Sequence, residues 1–185
     1  MQRDLVERAQ GGDHEAFEAL TGAVFDRLYA IAQRILRDVD RSEDAVQECL
    51  VRAWRDIRGL RDPDRFDAWL YRLLVNACRD EGRRLRRSAA NLRLLMPDHA
   101  TPGDPFGEIA DRDQLERGFR RLTIEQRSVL VLHHYLGMRP AEIAATLGVP
   151  VGTIHSRLHY ATTALRAGLE ADARAPLVAM GGRKA

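Results

Sequence analysis

The sequence predicts an all-α protein built from two small helical domains that are joined by a flexible linker. Three observations support this fold class. Apolar residues recur at steps of three and four in both halves of the chain, with no alternating strand pattern. Glycine and proline concentrate in residues 96–108, where this periodicity stops. Residues 123–165 carry the caps, turn glycine and apolar spacing of a helix-turn-helix.

Composition limits the class of protein. The chain has 185 residues, of which 45% are apolar, which suits one mid-sized or two small globular domains. It has no run of about 20 apolar residues and no apolar signal segment at its start, so we expect a cytoplasmic protein without membrane insertion. Cys49 and Cys78 are too few for a disulfide framework and form no CxxC pair. We expect both to be small core residues, with a redox role as the alternative.

The distribution of charge and of Gly and Pro sets the expected domain boundaries. Net charge is only +2, but residues 115–185 carry 10 basic and 5 acidic side chains, while residues 89–114 carry 2 and 5. Because two separate cores are joined by a long linker, we expect few contacts between the domains. The expected division is 1–88 for the first domain, 89–113 for an acidic Pro/Gly linker, 114–170 for the second domain and 171–185 for a tail.

The first domain is predicted to be helical throughout. Its longest apolar stripe runs from Phe17 to Ile35, and the next helix has Asp40 and Ser42 as candidate N-caps. A loop with Pro63 follows. The fourth helix is expected from Phe66 to near Arg87.

The fourth helix carries a basic stripe with one amide, because steps of four, three and four place its members on one face. An amide among arginines suits an unpaired base and its flanking phosphates. The alternative is an ordinary solvated face, partly neutralised by Asp80 and Glu81. The stripe consists of Arg72, Asn76, Arg79 and Arg83.

A second polar face lies on the preceding helix, where Asp44, Gln47 and Glu48 are spaced i, i+3 and i+4. Taken alone, this would be an ordinary solvated face. The sequence offers no catalytic triad, paired catalytic acids, glycine-rich phosphate loop or metal cluster. We therefore expect a protein that is not an enzyme and that needs no cofactor.

The second domain carries the helix-turn-helix. Thr123 and Gln126 form a capping box, Pro140 suits a first helical turn, and Gly148 suits the turn before the last helix. The outward face of that last helix is short and polar, as a helix that reads a DNA groove requires, and Arg157 lies at its flank. The outward residues are Gly152, His155, Ser156, His159, Tyr160 and Thr163.

Two alternatives for this face remain. It could be the solvated side of a plain helical hairpin, or His155 and His159 could bind zinc. In a zinc-binding HExxH motif a glutamate follows the first histidine, but here Ser156 follows His155. No third ligand is evident nearby.

Nearly the whole chain resembles the extracytoplasmic-function (ECF) sigma factors, which contain only sigma regions two and four. The resemblance is specific because several motifs occur in the expected order. They are LVERAQGGDHEAFEAL, SEDAVQECLVRAW, RFDAWLYRLLVNACRDEGRR and RRLTIEQRSVLVLHHYLGMRPAEIAATLGVPVGTIHSRLHYATTALR.

The resemblance implies a transcription initiation factor that binds core RNA polymerase, reads the minus-10 and minus-35 promoter elements and helps to melt the promoter. It also implies an anti-sigma factor as a further partner. Region two would dock on the clamp helices of the polymerase beta-prime subunit, and region four would lie at the beta flap.

The resemblance assigns a role to each polar face. Asp44, Gln47 and Glu48 would contact the clamp helices. The loop Gly59–Asp67 and the helix after it would capture a flipped minus-10 base, with Leu60 and Asn76 matching the pocket. The expected minus-10 contacts are Leu60, Arg72, Asn76, Arg79 and Arg83. The expected minus-35 contacts are Arg139, Gly152, Thr153, His155, Ser156, Arg157, His159 and Tyr160.

Two other functions remain to be compared. A dimeric helix-turn-helix regulator that acts on duplex DNA without core polymerase would explain residues 115–170 but would leave the Asp44 face and the Asn76 stripe without a role. A nuclease with a DNA-targeting tail would need a carboxylate cluster for Mg²⁺, which the sequence lacks.

Overall fold

A computed structural model describes residues 2–95, 118–119 and 121–180 of the chain. All regular structure in these residues is helical, which confirms the predicted fold class. Short 3-10 turns at Ile57–Gly59 and Pro63–Arg65 connect the third and fourth helices, and a π-helical turn, Val131–Tyr135, extends the fifth. The helices are α1 (Gln2–Gln10), α2 (His14–Leu36), α3 (Val39–Asp56), α4 (Phe66–Leu95), α5 (Ile124–Leu130), α6 (Pro140–Leu147) and α7 (Val151–Met180).

Aspartates begin the two long helices of the first domain. The Asp13 carboxylate accepts a hydrogen bond from the Ala16 amide at 3.0 Å and caps α2. For α3 the cap is Asp38, which accepts from the Arg41 amide at 3.0 Å, so the prediction of Asp40 and Ser42 as caps was wrong. Those residues lie inside the first turn, and the Ser42 hydroxyl donates back to the Asp38 carbonyl. The helix begins earlier because Asp38 has the extended backbone of an N-cap.

Two helices are longer than predicted. α4 continues to Leu95, beyond the expected end near Arg87 and into the segment assigned to the linker. The rest of that segment, residues 96–113, lies outside the described residues. α7 runs to Met180, into the segment assigned to the tail. The extension of α4 contains strong helix formers such as Ala, Leu and Arg, so its propensity favours continuation of the helix.

Helices α1 to α4 form the N-terminal bundle. α3 packs on both α2 and α4, and α1 packs on α2. The interior contains large side chains that are less than 2% exposed, and these come from the predicted apolar stripes. Among them are Leu28, Ile31, Ile35, Phe66, Leu70 and Leu74.

Helices α5 to α7 form the C-terminal group. The predicted capping box is present: Thr123 accepts from the Gln126 amide, and the Gln126 side chain accepts from the Thr123 amide. Gly148 has φ 66°, the left-handed conformation that ends α6 and turns the chain into α7. Ile143 and Ile154 are fully buried where these two helices cross.

The N-terminal bundle and the C-terminal group pack against each other. α4 contacts α5 and α6, α2 contacts α5, and buried side chains from both parts join in one continuous apolar cluster. The expectation of few contacts between the domains was therefore wrong. Apolar periodicity shows that each domain has a core, but it does not show that a second face of α4 is shaped to receive α5. None of the described helices has the length and hydropathy needed to cross a membrane.

Candidate functional site

The basic stripe of α4 faces the C-terminal group. Arg72 and Arg83 are exposed, whereas Asn76 and Arg79 between them are half-buried. Arg79 donates from Nη1 to the Asn76 side-chain oxygen at 3.3 Å, so the two central members of the stripe contact each other. The stripe is one continuous face, as its spacing predicted, and its centre is covered.

Arg79 lies in an unfavourable environment. Its Nε is buried without a hydrogen-bond partner, and so is Nη1 of Arg157 on α7. Burial, together with the positive charge of Arg157, lowers the pKa of Arg79. Arg79 and Arg157 therefore repel each other across the contact between the bundle and the C-terminal group, and the Glu125 carboxylate of α5 offsets part of this repulsion.

A cavity of about 250 Å³ lies beside the chain that connects α3 and α4. Its wall includes Leu60 and Arg72, while Ala145 and Thr146 of α6 close one side. Asn76 is not part of the wall; it lies about one turn further along α4. The side chain of Leu60 is only 9% exposed and packs into the core of the bundle. The structure thus brings Leu60 and Arg72 together and leaves Asn76 nearby.

Three polar residues of the expected base-capturing loop, none of them named individually as a contact, also line this cavity: Arg61, Asp62 and Arg65. They lie in the connecting turns, which carry no helical periodicity from which an inward direction could be read. Their position next to Pro63 was the available indication, because short turns hold side chains in fixed directions. The cavity is therefore more cationic than the predicted residues alone suggest.

The polar face of α3 is partly engaged in ion pairs. Asp44 and Gln47 are exposed, but Glu48 accepts from Arg52 Nε at 2.7 Å. The same guanidinium donates to Asp80 of α4 at 2.9 Å. Arg83, the last residue of the basic stripe, also pairs with Asp80, as the alternative interpretation of the stripe expected. These ion pairs connect α3 with α4 behind the polar face.

The outward face of α7 is exposed as predicted. His155, Ser156, His159 and Tyr160 all face solvent, and the Tyr160 side chain stacks edge-on with His159 at 5.7 Å between ring centres. The Ser156 hydroxyl donates to the Thr153 carbonyl one turn back. Gly152 is also exposed and Thr153 is half-buried. This surface offers donors, acceptors and one aromatic ring to a groove.

Two arginines flank this face differently. Arg139 is exposed at the start of α6, where its amide donates to the Glu142 carboxylate at 2.7 Å. Arg157 is half-buried and its Nη1 is buried, so its predicted contact with phosphate would require a change in its surroundings. Within the described residues, no group of three or more His, Cys, Asp or Glu side chains is arranged to hold a metal ion.

Two family models match the chain in sequence order. Residues 22–88 match Sigma-70 region 2, and residues 112–165 match Sigma-70, region 4. The first match covers α3, α4 and the cavity between them, while the second covers the helix-turn-helix. The match at residues 22–88 contradicts the alternative of a helix-turn-helix regulator that acts without polymerase.

Curated relatives match over nearly the whole chain. The ECF RNA polymerase sigma factor SigL of Mycobacterium tuberculosis is 35% identical over 171 residues, covering 86% of this chain and 94% of SigL. The RNA polymerase sigma-E factor of Streptomyces avermitilis is 36% identical over 167 residues, covering 89% and 92%. The ECF RNA polymerase sigma factor SigW of Bacillus subtilis is 26% identical over 181 residues, covering 90% and 95%.

Solved structures agree in fold and sequence. CnrH, in complex with the cytosolic domain of CnrY, is 32% identical with a TM-score of 0.65, covering 92% of this chain and 98% of CnrH. The sigma factor RpoE of Bartonella quintana, in complex with the anti-sigma factor NepR, is 25% identical with the same TM-score of 0.65, covering 83% and 96%. Together with the two region matches, this shows that the chain belongs to the ECF group of the sigma-70 family, the initiation factors that direct RNA polymerase to promoters.

Proposed function

We propose that this sigma factor reads the minus-10 element with α4 and the turns before it, reads the minus-35 element with α7, and docks on core polymerase through α3. The observation that carries the proposal is the cavity between α3 and α4, which is lined by several arginines and adjoins the one uncharged amide of the basic stripe. Cations hold the phosphates of an unpaired strand, and an amide distinguishes base edges.

At the minus-10 element, the cavity receives one extruded base. The volume of about 250 Å³ is slightly smaller than that of typical small-ligand sites, which suits a single base, and Trp69 provides an aromatic wall against which the base stacks. Arg61, Arg65 and Arg72 surround it and pair with the backbone. Asn76 donates to and accepts from the edge of the same base or its neighbour, once Arg79 releases its oxygen. Leu60, anchored in the core, forms the apolar floor.

At the minus-35 element, α7 enters the major groove. Ser156, His159 and Tyr160 contact base edges, and His155 lies beside them on the exposed face. Gly152 and Thr153, at the start of the helix, allow the backbone to approach a phosphate closely. Arg139 pairs with phosphate at the edge of the site.

Binding of both elements requires the C-terminal group to move away from α4. In the structure the C-terminal group packs on α4, which we call the closed arrangement. Thr146 of α6 then lines the minus-10 cavity, and the charges of Arg79 and Arg157 repel each other. A DNA strand on α4 would occupy the same space. Opening is favoured by DNA because phosphates neutralise two guanidinium groups that have unpaired buried nitrogens in the closed form.

Core polymerase is the first macromolecular partner. Asp44, Gln47 and Glu48 contact the beta-prime clamp helices, and region 4 contacts the beta flap. Asp44 and Gln47 are exposed, and the Arg52 ion pairs hold Glu48 in place. The protein acts in the cytoplasm, where transcription starts. An anti-sigma factor is a further partner, because the similar structure of RpoE was solved in complex with one.

The proposal is tested by transcription from a promoter library in which both elements are randomised, with core polymerase and either the wild type or a variant. We expect the wild type to enrich one sequence at each element. Asn76→Ala should flatten only the minus-10 preference, and Tyr160→Ala only the minus-35 preference. Flattening of the same element by both variants, or of neither, contradicts the proposal.

A further inference from the structure

Helix α1 contacts the turns that form the minus-10 cavity. Gln10, the last residue of α1, is half-buried and donates from Nε2 to two carbonyl oxygens, that of Ile57 at 3.0 Å and that of Leu60 at 2.6 Å. These carbonyls mark the beginning and the end of the turn that leaves α3. α1 lies before residues 22–88, the part matched to Sigma-70 region 2.

The position of Gln10 is fixed from both sides. Val6 and Ala9, one turn and one residue before it, are at most 1% exposed and anchor α1 on the bundle. After it, Gly12 has φ 95°, a conformation that side chains rarely adopt, and the amide of Gly12 donates to the Ala9 carbonyl. The backbone of Gln10 therefore moves little, and its side chain is a fixed donor.

The chemistry of an amide suits this position. A side-chain amide carries two N–H groups, and here two carbonyl oxygens face one nitrogen. Ile57 O also accepts from the Leu60 amide at 3.1 Å, so the turn and Gln10 share one acceptor. Leu60 lines the cavity, and its carbonyl is one of the two that Gln10 holds.

We infer that Gln10 is a positioning residue for minus-10 specificity: its amide holds the Ile57–Leu60 turn in the one arrangement that shapes the base cavity. This rests on the proposed function of that cavity. Gln10 itself does not contact DNA; it acts through Leu60 and the adjoining Arg61.

A second contact of α1, made with α4, is weaker and serves as a control. Gln2 donates to the Asp67 carboxylate at 2.9 Å, but the contact is exposed, so water replaces it readily. Gln2 has the same side chain on the same helix, and its partner belongs to α4 rather than to the turn. Gln2→Met is therefore matched to Gln10→Met in chemistry and helix propensity.

The first experiment measures hydrogen exchange of the Leu60 amide in the full chain. Gln10→Met keeps the length of the side chain and removes both donors, and Gln10→Glu replaces them with an acceptor that faces two carbonyls. We expect exchange to accelerate about tenfold, equivalent to about 1.4 kcal/mol of local stability. Gln2→Met should leave it unchanged. Unchanged exchange in both Gln10 variants overturns the inference.

The second experiment measures holoenzyme affinity for fork templates that carry each of the four bases at every minus-10 position. For Gln10→Met we expect the ratio between best and worst base to fall about fivefold, while core binding stays as in Gln2→Met and the melting temperature falls by only about 3 to 6 °C. A general loss of affinity with an unchanged ratio overturns the specificity role. The wild type separates failure of the Gln10 inference from failure of the proposed function. If the wild type itself shows no base preference, the proposed function of the cavity fails; if only the Gln10→Met result differs from the expectation, the Gln10 inference alone fails.

Discussion

The side chain of Ile124 on α5 occupies the space in which a side chain on Gly82 of α4 would begin. A Cβ atom built on Gly82 would overlap the Cδ1 methyl group of Ile124, and Gly82 itself is buried. Glycine inside a helix costs about 1 kcal/mol relative to alanine, so Gly82 lowers the stability of α4 at the point where α5 packs on it. Gly82 thus permits the closed arrangement of the two regions.

Gly82→Gln should open the protein in solution. The larger side chain cannot share the space with Ile124, while the higher helix propensity of glutamine keeps α4 folded. We expect a larger radius of gyration in small-angle X-ray scattering and a higher affinity for fork templates. Gly82→Ala combined with Ile124→Val, which removes the overlapping methyl group, is the matched control and should remain closed. An unchanged radius in Gly82→Gln contradicts the role of this contact.

Asp44→Arg should weaken binding to core polymerase without affecting the fold. Asp44 is exposed on α3, and reversing an interface charge costs several kcal/mol, on the order of a hundredfold in affinity. Fluorescence titration with core polymerase measures the affinity, and thermal melting measures the fold. Asp26→Arg reverses an exposed charge on α2 rather than on α3 and should bind nearly as the wild type does. Equal losses in both variants would show a general charge effect.

Tyr160→Ala should reduce minus-35 selectivity and leave core binding intact. Its ring is 63% exposed, so truncation removes little packing from region 4. We expect the discrimination between the preferred minus-35 sequence and a scrambled one to fall about tenfold, or about 1.4 kcal/mol. Tyr160→Phe separates the ring from the hydroxyl group. Binding isotherms on duplexes with the same minus-10 element and different minus-35 elements decide the result.

The two buried thiols should make the stability of the protein fall at alkaline pH. Burial raises the pKa of Cys49 to about 12 and raises the pKa of Cys78 as well. In the unfolded chain a thiol has a pKa of about 8.5, whereas in the folded protein its pKa is higher. Above about pH 8.5 the thiols therefore ionise only in the unfolded chain, which stabilises that state, and the unfolding free energy falls. Between pH 7.5 and 9.5 we expect the unfolding free energy to fall by about 3 kcal/mol more in the wild type than in the double variant Cys49→Ala/Cys78→Ala.

Urea unfolding at the two pH values measures this difference. The double variant has a lower stability at both values because cavities are created, but only the change with pH is compared. The folded protein should also resist alkylation of both thiols, which argues for the structural role over the redox alternative. An identical pH dependence in wild type and variant would contradict it.

The sequence predicted most helices because periodicity and capping are local. The stripe from Phe17 to Ile35, the Thr123 capping box and the Gly148 turn were all found in the structure. The cap of α3 was assigned two residues too late, because Asp38, Asp40 and Ser42 are all good N-cap residues and only the backbone shows which one is extended. The packing of α5 on α4 depends on the shape of the two surfaces, which apolar periodicity does not describe. The local sign of this packing in the sequence was Gly82, an isolated glycine within a helix.

The candidate site was predicted in part. The stripe on α4 and the outward face of α7 follow from a rotation of 100° per residue, and both occupy the expected faces. The loop with Arg61 and Arg65 was expected at the base, but these two side chains could not be singled out because irregular turns have no period. The donor Gln10 was missed because it is separated from Leu60 by 50 residues. Such contacts depend on tertiary structure.

The role of Asn76 is the central claim, and binding of holoenzyme to pre-melted fork templates tests it most directly. The templates carry each of the four bases at every minus-10 position, and Asn76→Ala is compared with Arg83→Ala, an exposed arginine of the same stripe. We expect Asn76→Ala to lose about 1 to 3 kcal/mol of discrimination at one position, while Arg83→Ala weakens all templates alike and reduces the dependence on salt. If Asn76→Ala weakens every template equally or changes nothing, the α4 stripe does not select a base and the account is wrong.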